Sequence, residues 1–138
     1  MSDVFDLTGR LALVTGSSRG LGQSLAVGLA EAGARVIVHG RDAEAARRSA
    51  DAIAERTGIR PETTLFDVTD AAAVETAIGE LVERVGTPDI LVNNAGIQRR
   101  APFAEFPVAD WDAVISSNLS SAFYVSRFVA PGMIARGS

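Results

Sequence analysis

Two side chains that carry much of protein chemistry are missing from this sequence. It has no cysteine, which excludes disulfides and thiolate metal sites. All 13 of its basic residues are arginine, and without lysine there is no Schiff-base amine and no P-loop lysine. Histidine occurs once, at His39, and the carboxylates are spread over helix faces, so no metal site is read. Long apolar runs are lacking too. They last a few residues, against the roughly 20 that a membrane span requires. Met1 to Asp6 is acidic and shows no basic, then apolar, leader pattern, so the expected compartment is the cytoplasm. The formal charge of -4 argues against a nucleic-acid binder built on phosphate attraction.

What is present is ordinary globular material. The chain has 138 residues, 47% hydrophobic and 22% charged, which suits one domain. Short apolar runs alternate with longer amphipathic stretches. Leu11–Thr15, Arg35–His39, Thr63–Val68 and Asp89–Asn93 read as strands, apolar on both faces as strands covered on both sides are. Leu21, Leu25 and Leu29 mark a first helix before Gly33. Asp42 to Arg56, with Ala46, Ala50 and Ile53 on one face, is a second and stops at Gly58. Val74, Ile78, Leu81 and Val85 mark a third, stopping at Gly86 and Pro88. The last helix is predicted from about Asp110 to Ala130, on the stripe Trp111, Ile115, Asn118, Ala122, Val125 and Val129, with Pro131 and Gly132 kinking or ending it. The alternation predicts an α/β fold, a Rossmann-like doubly wound parallel sheet with flanking helices.

The first strand runs into Gly16-Ser17-Ser18-Arg19-Gly20-Leu21-Gly22. Glycines suit a sharp turn that lets a pyrophosphate approach the backbone, and the helix that follows offers free N–H groups and the positive end of its dipole. The spacing is Gly-x-x-x-Gly-x-Gly, neither the usual dinucleotide pattern nor a P-loop. Alone, it also fits a strand–helix turn that binds nothing. The second strand ends at Gly40, followed by Arg41, where an acidic residue would bind the ribose hydroxyls of NAD. Arg41 offers a planar fork to a 2′-phosphate, with Arg19 as a second charge, which favours NADP over NAD; a solvated Arg41 is the other reading. Asp42 reads as the N-cap of the next helix and His39 as a strand-end residue without a catalytic role. Asn118 shares a helix face with apolar neighbours and is expected to be buried with its amide partnered.

These residues together resemble the short-chain dehydrogenase/reductase family, over the whole chain. The resemblance is carried by Thr15 to Gly22, by Asp67-Val68 after the third strand, by Asn93-Asn94-Ala95-Gly96 after the fourth, and by Asn118 in Ser116-Ser117-Asn118-Leu119. Asn93 to Pro102, Asp67 to Asp70 and Asp110-Trp111-Asp112 look like the gluconate 5-dehydrogenase branch, whose pattern neighbouring sugar and polyol dehydrogenases share in large part. The resemblance implies strand order 3-2-1-4 and an NADP-dependent oxidoreductase acting on D-gluconate and 5-keto-D-gluconate, with NAD the alternative cofactor. It implies that Gly16, Ser18, Arg19, Gly20, Leu21 and Gly22 hold the pyrophosphate and adjoining ribose, and that Arg41 meets the 2′-phosphate. Asp67 and Val68 would flank the adenine; Asn94, Ala95 and Gly96 would line the ribose side of the nicotinamide. Asn118 matches the family's catalytic asparagine, which orders a water beside the catalytic lysine.

Arg99 and Arg100 follow the fourth strand, where a substrate would lie, and a guanidinium suits the carboxylate of a sugar acid. A solvent-facing charge pair is the alternative. The family's chemistry also needs a serine and a Tyr-x-x-x-Lys pair. Tyr124 is the only tyrosine here and is followed four residues later by Phe128. The chain is therefore expected to be the N-terminal, dinucleotide-binding part of one dehydrogenase domain, residues 1–138, inactive alone. The complete protein is expected to form a homo-oligomer and to have no nucleic-acid or membrane partner. A different sugar, polyol or 3-oxoacyl reductase of the family, or a non-catalytic cofactor-binding remnant, are the other readings.

Overall fold

A computed structural model describes residues 3–138; Met1 and Ser2, which begin the acidic N-terminal stretch, lie outside the described residues. Four strands, β1 (Leu11–Val14), β2 (Arg35–Gly40), β3 (Glu62–Leu65) and β4 (Ile90–Val92), form one sheet in the order β3-β2-β1-β4. Every pairing is parallel, with Leu13 opposite Ile37 on one side and opposite Leu91 on the other. This is the doubly wound arrangement read from the sequence. The helices α1 (Gly20–Glu31), α2 (Ala43–Thr57), α3 (Ala71–Val85), α4 (Val108–Ile115) and α5 (Ser121–Arg136) complete it.

The strand period of two divides the core into two layers. Leu11, Leu13 and Ile37 point to one side and pack with Val74, Ile78 and Leu81 of α3 and with Val125 and Val129 of α5. Ala12, Val14, Val36 and Val38 point to the other and pack with Ala26 of α1 and Ala46 and Ile53 of α2. The predicted stripes of α2 and α3 are thus their buried faces, and Asp42 caps α2 by accepting from Glu44 N–H and Ala45 N–H at 2.9 and 3.2 Å.

Helix α1 departs from the simplest reading of its leucines. Its buried residues are Gly22 and Ala26, while Leu21 is 72% exposed. The helix lies so close to the turn before it that a Cβ on Gly22 would stand 2.1 Å from the Gly16 carbonyl oxygen. Only small residues fit that seam.

The last helical stretch needs two corrections. It is not one regular helix from Asp110 to Ala130: a π-helical segment at Ser116–Ser120 separates α4 from α5. The wider turn shifts the face that follows it, so Ser121, Val125 and Val129 are buried while Asn118, within the turn, is exposed; Trp111, in α4 before it, is exposed as well. Nor do Pro131 and Gly132 end the helix, which runs on to Arg136. Tertiary contacts hold its final turns. A Cβ on Gly132 would meet Thr87 Oγ1 at 2.2 Å, so the helix passes directly over Thr87. Beyond it, the Arg136 guanidinium bonds the carbonyls of Thr87 and Pro88 at 3.2 and 3.3 Å and pairs with Asp89 at 3.1 Å.

Candidate nucleotide site

A cavity of about 830 Å³ opens at the carboxyl ends of the strands. It lies where the connection order reverses between β1 and β4, the place where open α/β sheets hold ligands. Four chain segments build most of it: the turn after β1, the end of β2, the stretch after β3 and the residues after β4.

The turn after β1 is fixed from below. Gly16 has φ +64°, a left-handed conformation that L side chains rarely adopt. Asn94 Nδ2 donates to the carbonyls of Thr15 and Gly16, each at 3.1 Å. Thr15 Oγ1 in return accepts from the N–H groups of Asn94 and Ala95, both at 3.0 Å. The strand end and the turn therefore lock each other. Ser17 is wholly buried: its Oγ donates to the Val14 carbonyl at 2.6 Å, and its own carbonyl accepts from Ser49 Oγ of α2 at 2.8 Å. No side chain caps the start of α1, so its first-turn N–H groups are left for a ligand or solvent.

Ser18, Arg19, Leu21 and Gly22 line the cavity with Gly16, as do Arg41, Asp67, Val68, Asn94, Ala95 and Gly96. The structure thus brings nearly all the residues singled out for the cofactor to one place. Gly20 begins α1 between two of them. Asp67 Oδ1 accepts from both the N–H and the hydroxyl of Thr69, at 2.9 and 2.7 Å, leaving Oδ2 free of those bonds. The two Thr69 bonds hold its carboxyl below the usual range, with Arg41 and His39 acting the same way. Asp42 lines the cavity as well; its Oδ1 caps α2, and the Ala45 and Glu44 N–H bonds lower its carboxyl too.

Asn118 stands apart from the lining, though its neighbours Ser117 and Ile97 belong to it. The expectation that it is buried is wrong, because the π-helical turn carries it to the exposed side. The expectation that its amide is partnered holds: it bonds both polar atoms of the Ile97 backbone. Arg99 and Arg100 lie outside the lining as well. Arg99 faces Asp110 at 3.9 Å, and the Arg100 guanidinium lies 3.0 and 3.1 Å from the side-chain amide of Gln98, whose oxygen accepts from it when the amide is turned to suit its neighbours.

Residues with no binding role assigned from the sequence hold the site in shape: Thr15, Ser17, Ser49 and His39. Ser49 carried a signal, a lone hydroxyl on the alanine face of α2, since a buried hydroxyl requires a partner. Among the described residues no group of three His, Cys, Asp or Glu could hold a metal ion. Among the described residues, no helix is long and apolar enough to cross a membrane.

Comparison with known proteins agrees with this geometry. The family model of the short chain dehydrogenases matches residues 10–138. The chain is 49% identical over 135 residues to a gluconate 5-dehydrogenase of Gluconobacter oxydans, covering 98% of this chain and 52% of that protein. It is 40% identical over 136 residues to the 5-keto-D-gluconate 5-reductase of Escherichia coli, covering 99% and 53%. The crystal structure of a gluconate 5-dehydrogenase from Burkholderia cenocepacia in complex with NADP and tartrate superposes with TM-score 0.91 at 50% identity, over 96% of this chain and 52% of that one. The chain spans about half the length of the curated relatives it matches.

Proposed function

We propose, from the premise that the chain belongs to the short chain dehydrogenase family, that residues 1–138 are the dinucleotide-binding part of an NADP-dependent oxidoreductase. Its substrate pair is a sugar-acid alcohol and the corresponding ketone, D-gluconate and 5-keto-D-gluconate, which the names of two similar proteins support. One observation carries the reading. Four segments distant in sequence place the glycine turn, two arginines, Asp67 and the Asn94–Gly96 backbone around a single cavity. The left-handed Gly16 and the uncapped first turn of α1 suit a pyrophosphate.

The choice of NADP rests on charge. Arg19 and Arg41 both line the cavity, and Asp42, the lining carboxylate nearest in sequence to the tip of β2, uses its Oδ1 for the cap of α2. Two guanidinium groups suit a 2′-phosphate. Asp67, through Oδ2, accepts from the exocyclic amine of the adenine, and Val68 packs on the ring. Asn94, Ala95 and Gly96 border the nicotinamide ribose. Bound there, the cofactor supplies or takes up a hydride. Asn118 fixes the chain at Ile97 beside the reacting end, the place of its family counterpart. Arg100 receives the substrate carboxylate by exchanging its Gln98 partner, and Arg99 is held back by Asp110. These 138 residues contain no lysine, so alone they bind the cofactor without turnover; the complete enzyme acts as a homo-oligomer.

Titration of the chain with NADPH and NADH by calorimetry tests this. NADPH is expected to bind more tightly than NADH. Arg41→Ala should weaken NADPH by about tenfold or more while leaving NADH within about twofold, as loss of a charge-assisted bond requires. Binding of neither nucleotide by a folded sample overturns the reading.

A further inference from the structure

His39 is the only imidazole in the chain, and it is 2% exposed. Its ring is fully committed. Nδ1 accepts a hydrogen bond from the Gly16 N–H at 2.9 Å, and Nε2 lies 2.9 Å from the Phe66 carbonyl oxygen. A backbone N–H cannot accept and a carbonyl cannot donate. Only one form of the ring satisfies both contacts, with the proton on Nε2 and a bare Nδ1. The backbone of the same residue grips the turn as well: His39 N–H donates to Ser17 Oγ at 2.9 Å, and Ser17 N–H donates to the His39 carbonyl at 2.9 Å. Residue 39 thus holds the first two residues of the glycine turn by three bonds.

The groups around the ring come from each neighbouring element. The end of β3 contributes the Phe66 ring, 4.1 Å away between centroids, and the Asp67 carboxylate after it. The end of β2 contributes Arg41. The turn contributes Gly16 and Ser17, and α2 contributes Ser49 through Ser17, all uncharged. Burial disfavours the imidazolium most; the Phe66 carbonyl and Asp67 favour it, and Arg41 opposes it.

We propose that His39 is a positioning residue for the cofactor turn: its neutral ring takes up the Gly16 N–H and so fixes the direction in which the chain leaves β1 toward the first N–H groups of α1. The proposal rests on reading the cavity as a nucleotide site, and adds a property that reading does not contain. Protonation of Nδ1 sets two N–H groups against each other, so nucleotide affinity falls when the ring is charged. An asparagine at this position offers an oxygen to Gly16 and an N–H to Phe66 at any pH. A leucine offers neither.

Nitrogen-15 NMR of the nucleotide-free chain should show the His39 ring protonated on Nε2, with the Gly16 amide shift moving as the ring titrates. His39→Leu should shift the amides of residues 16–22 and weaken NADPH binding at pH 7.5 by about tenfold, the loss expected when a buried N–H is left without its acceptor. His39→Asn should retain affinity within about threefold. Its affinity should also decline less on acidification than that of the unmodified chain, the phosphate's own titration being common to both. An Nδ1–H ring, an unmoved Gly16 amide, or the same pH profile in the unmodified chain and His39→Asn overturns the proposal. If His39→Leu does not fold, the comparison with His39→Asn still decides. If the unmodified chain binds neither nucleotide, the cofactor reading falls, and the ring form and Gly16 shift alone decide whether His39 positions the turn.

Discussion

The side-chain amide of Asn118 closes a two-bond ring on the backbone of Ile97: Oδ1 accepts from the N–H at 2.7 Å and Nδ2 donates to the carbonyl at 2.9 Å. The pair matches the two faces of a primary amide to those of a peptide. It joins the π-helical turn to the chain leaving β4, 21 residues away in sequence. Asn118→Ala should therefore free that segment more than it destabilises the whole, costing about 1 kcal/mol for exposed bonds. Hydrogen exchange at the Ile97 amide should quicken by about tenfold. Unchanged exchange there would mean the two bonds do not hold the segment.

The seam between α1 and the glycine turn predicts opposite outcomes at two glycines of one helix. A Cβ at Gly22 would lie 2.1 Å from the Gly16 oxygen and 2.4 Å from Asn94 Nδ2, whereas one at Gly28 meets nothing within 4 Å. Gly22→Ala should destabilise by about 1–3 kcal/mol, because it forces backbone apart. Gly28→Ala should stabilise by about 0.5–1 kcal/mol, through helix propensity and a less flexible unfolded chain. Urea unfolding measures both, and equal effects at the two sites would contradict the seam.

Stability should fall with acid in two stages. Burial holds His39 below its ordinary value of 6.5, so the unfolded chain takes up its proton first. Stability is intact above that pH and declines as pH drops toward the lower folded value. Asp67 and Asp42, held low by N–H and hydroxyl bonds, add a second loss below their ordinary 3.8, again because the unfolded chain binds protons first. Denaturation midpoints followed from pH 8 to 2 should show both stages, and His39→Asn should abolish only the earlier one.

Gly132 and Thr87 should be energetically coupled. Gly132→Ala brings its Cβ to 2.2 Å from Thr87 Oγ1 and 2.6 Å from Cγ2, both of which Thr87→Ala removes. The glycine substitution alone should cost about 1–3 kcal/mol. In the Thr87→Ala background most of that cost should vanish, as a double-mutant cycle would register. Simple additivity would show that α5 is not seated on Thr87.

Local pattern made much of the site legible. Gly16, Gly20 and Gly22 between a buried run and a helix, and Arg41 in place of an acid, were readable because each expresses its chemistry over a few neighbouring residues. The same holds for Asp42, whose cap needs only the next three residues. Asn118 was half legible. The sequence showed that its amide needs partners, but the regular period used to bury it misses a π-helical turn. His39, Ser17 and Ser49 were not assigned to the site, because their bonds join segments brought together only by the sheet.

The four strands, the first three helices and the residues suited to a nucleotide were determined by the sequence alone, since alternation and spacing are properties of a short stretch of chain. Tertiary structure decided which face of α1 is buried, since Gly22 rather than a leucine fits against Gly16. It also carried α5 past Pro131, where packing on Thr87 and the bonds of Arg136 offset the missing N–H. Those outcomes depend on distances between segments far apart in the chain, and no local period encodes them.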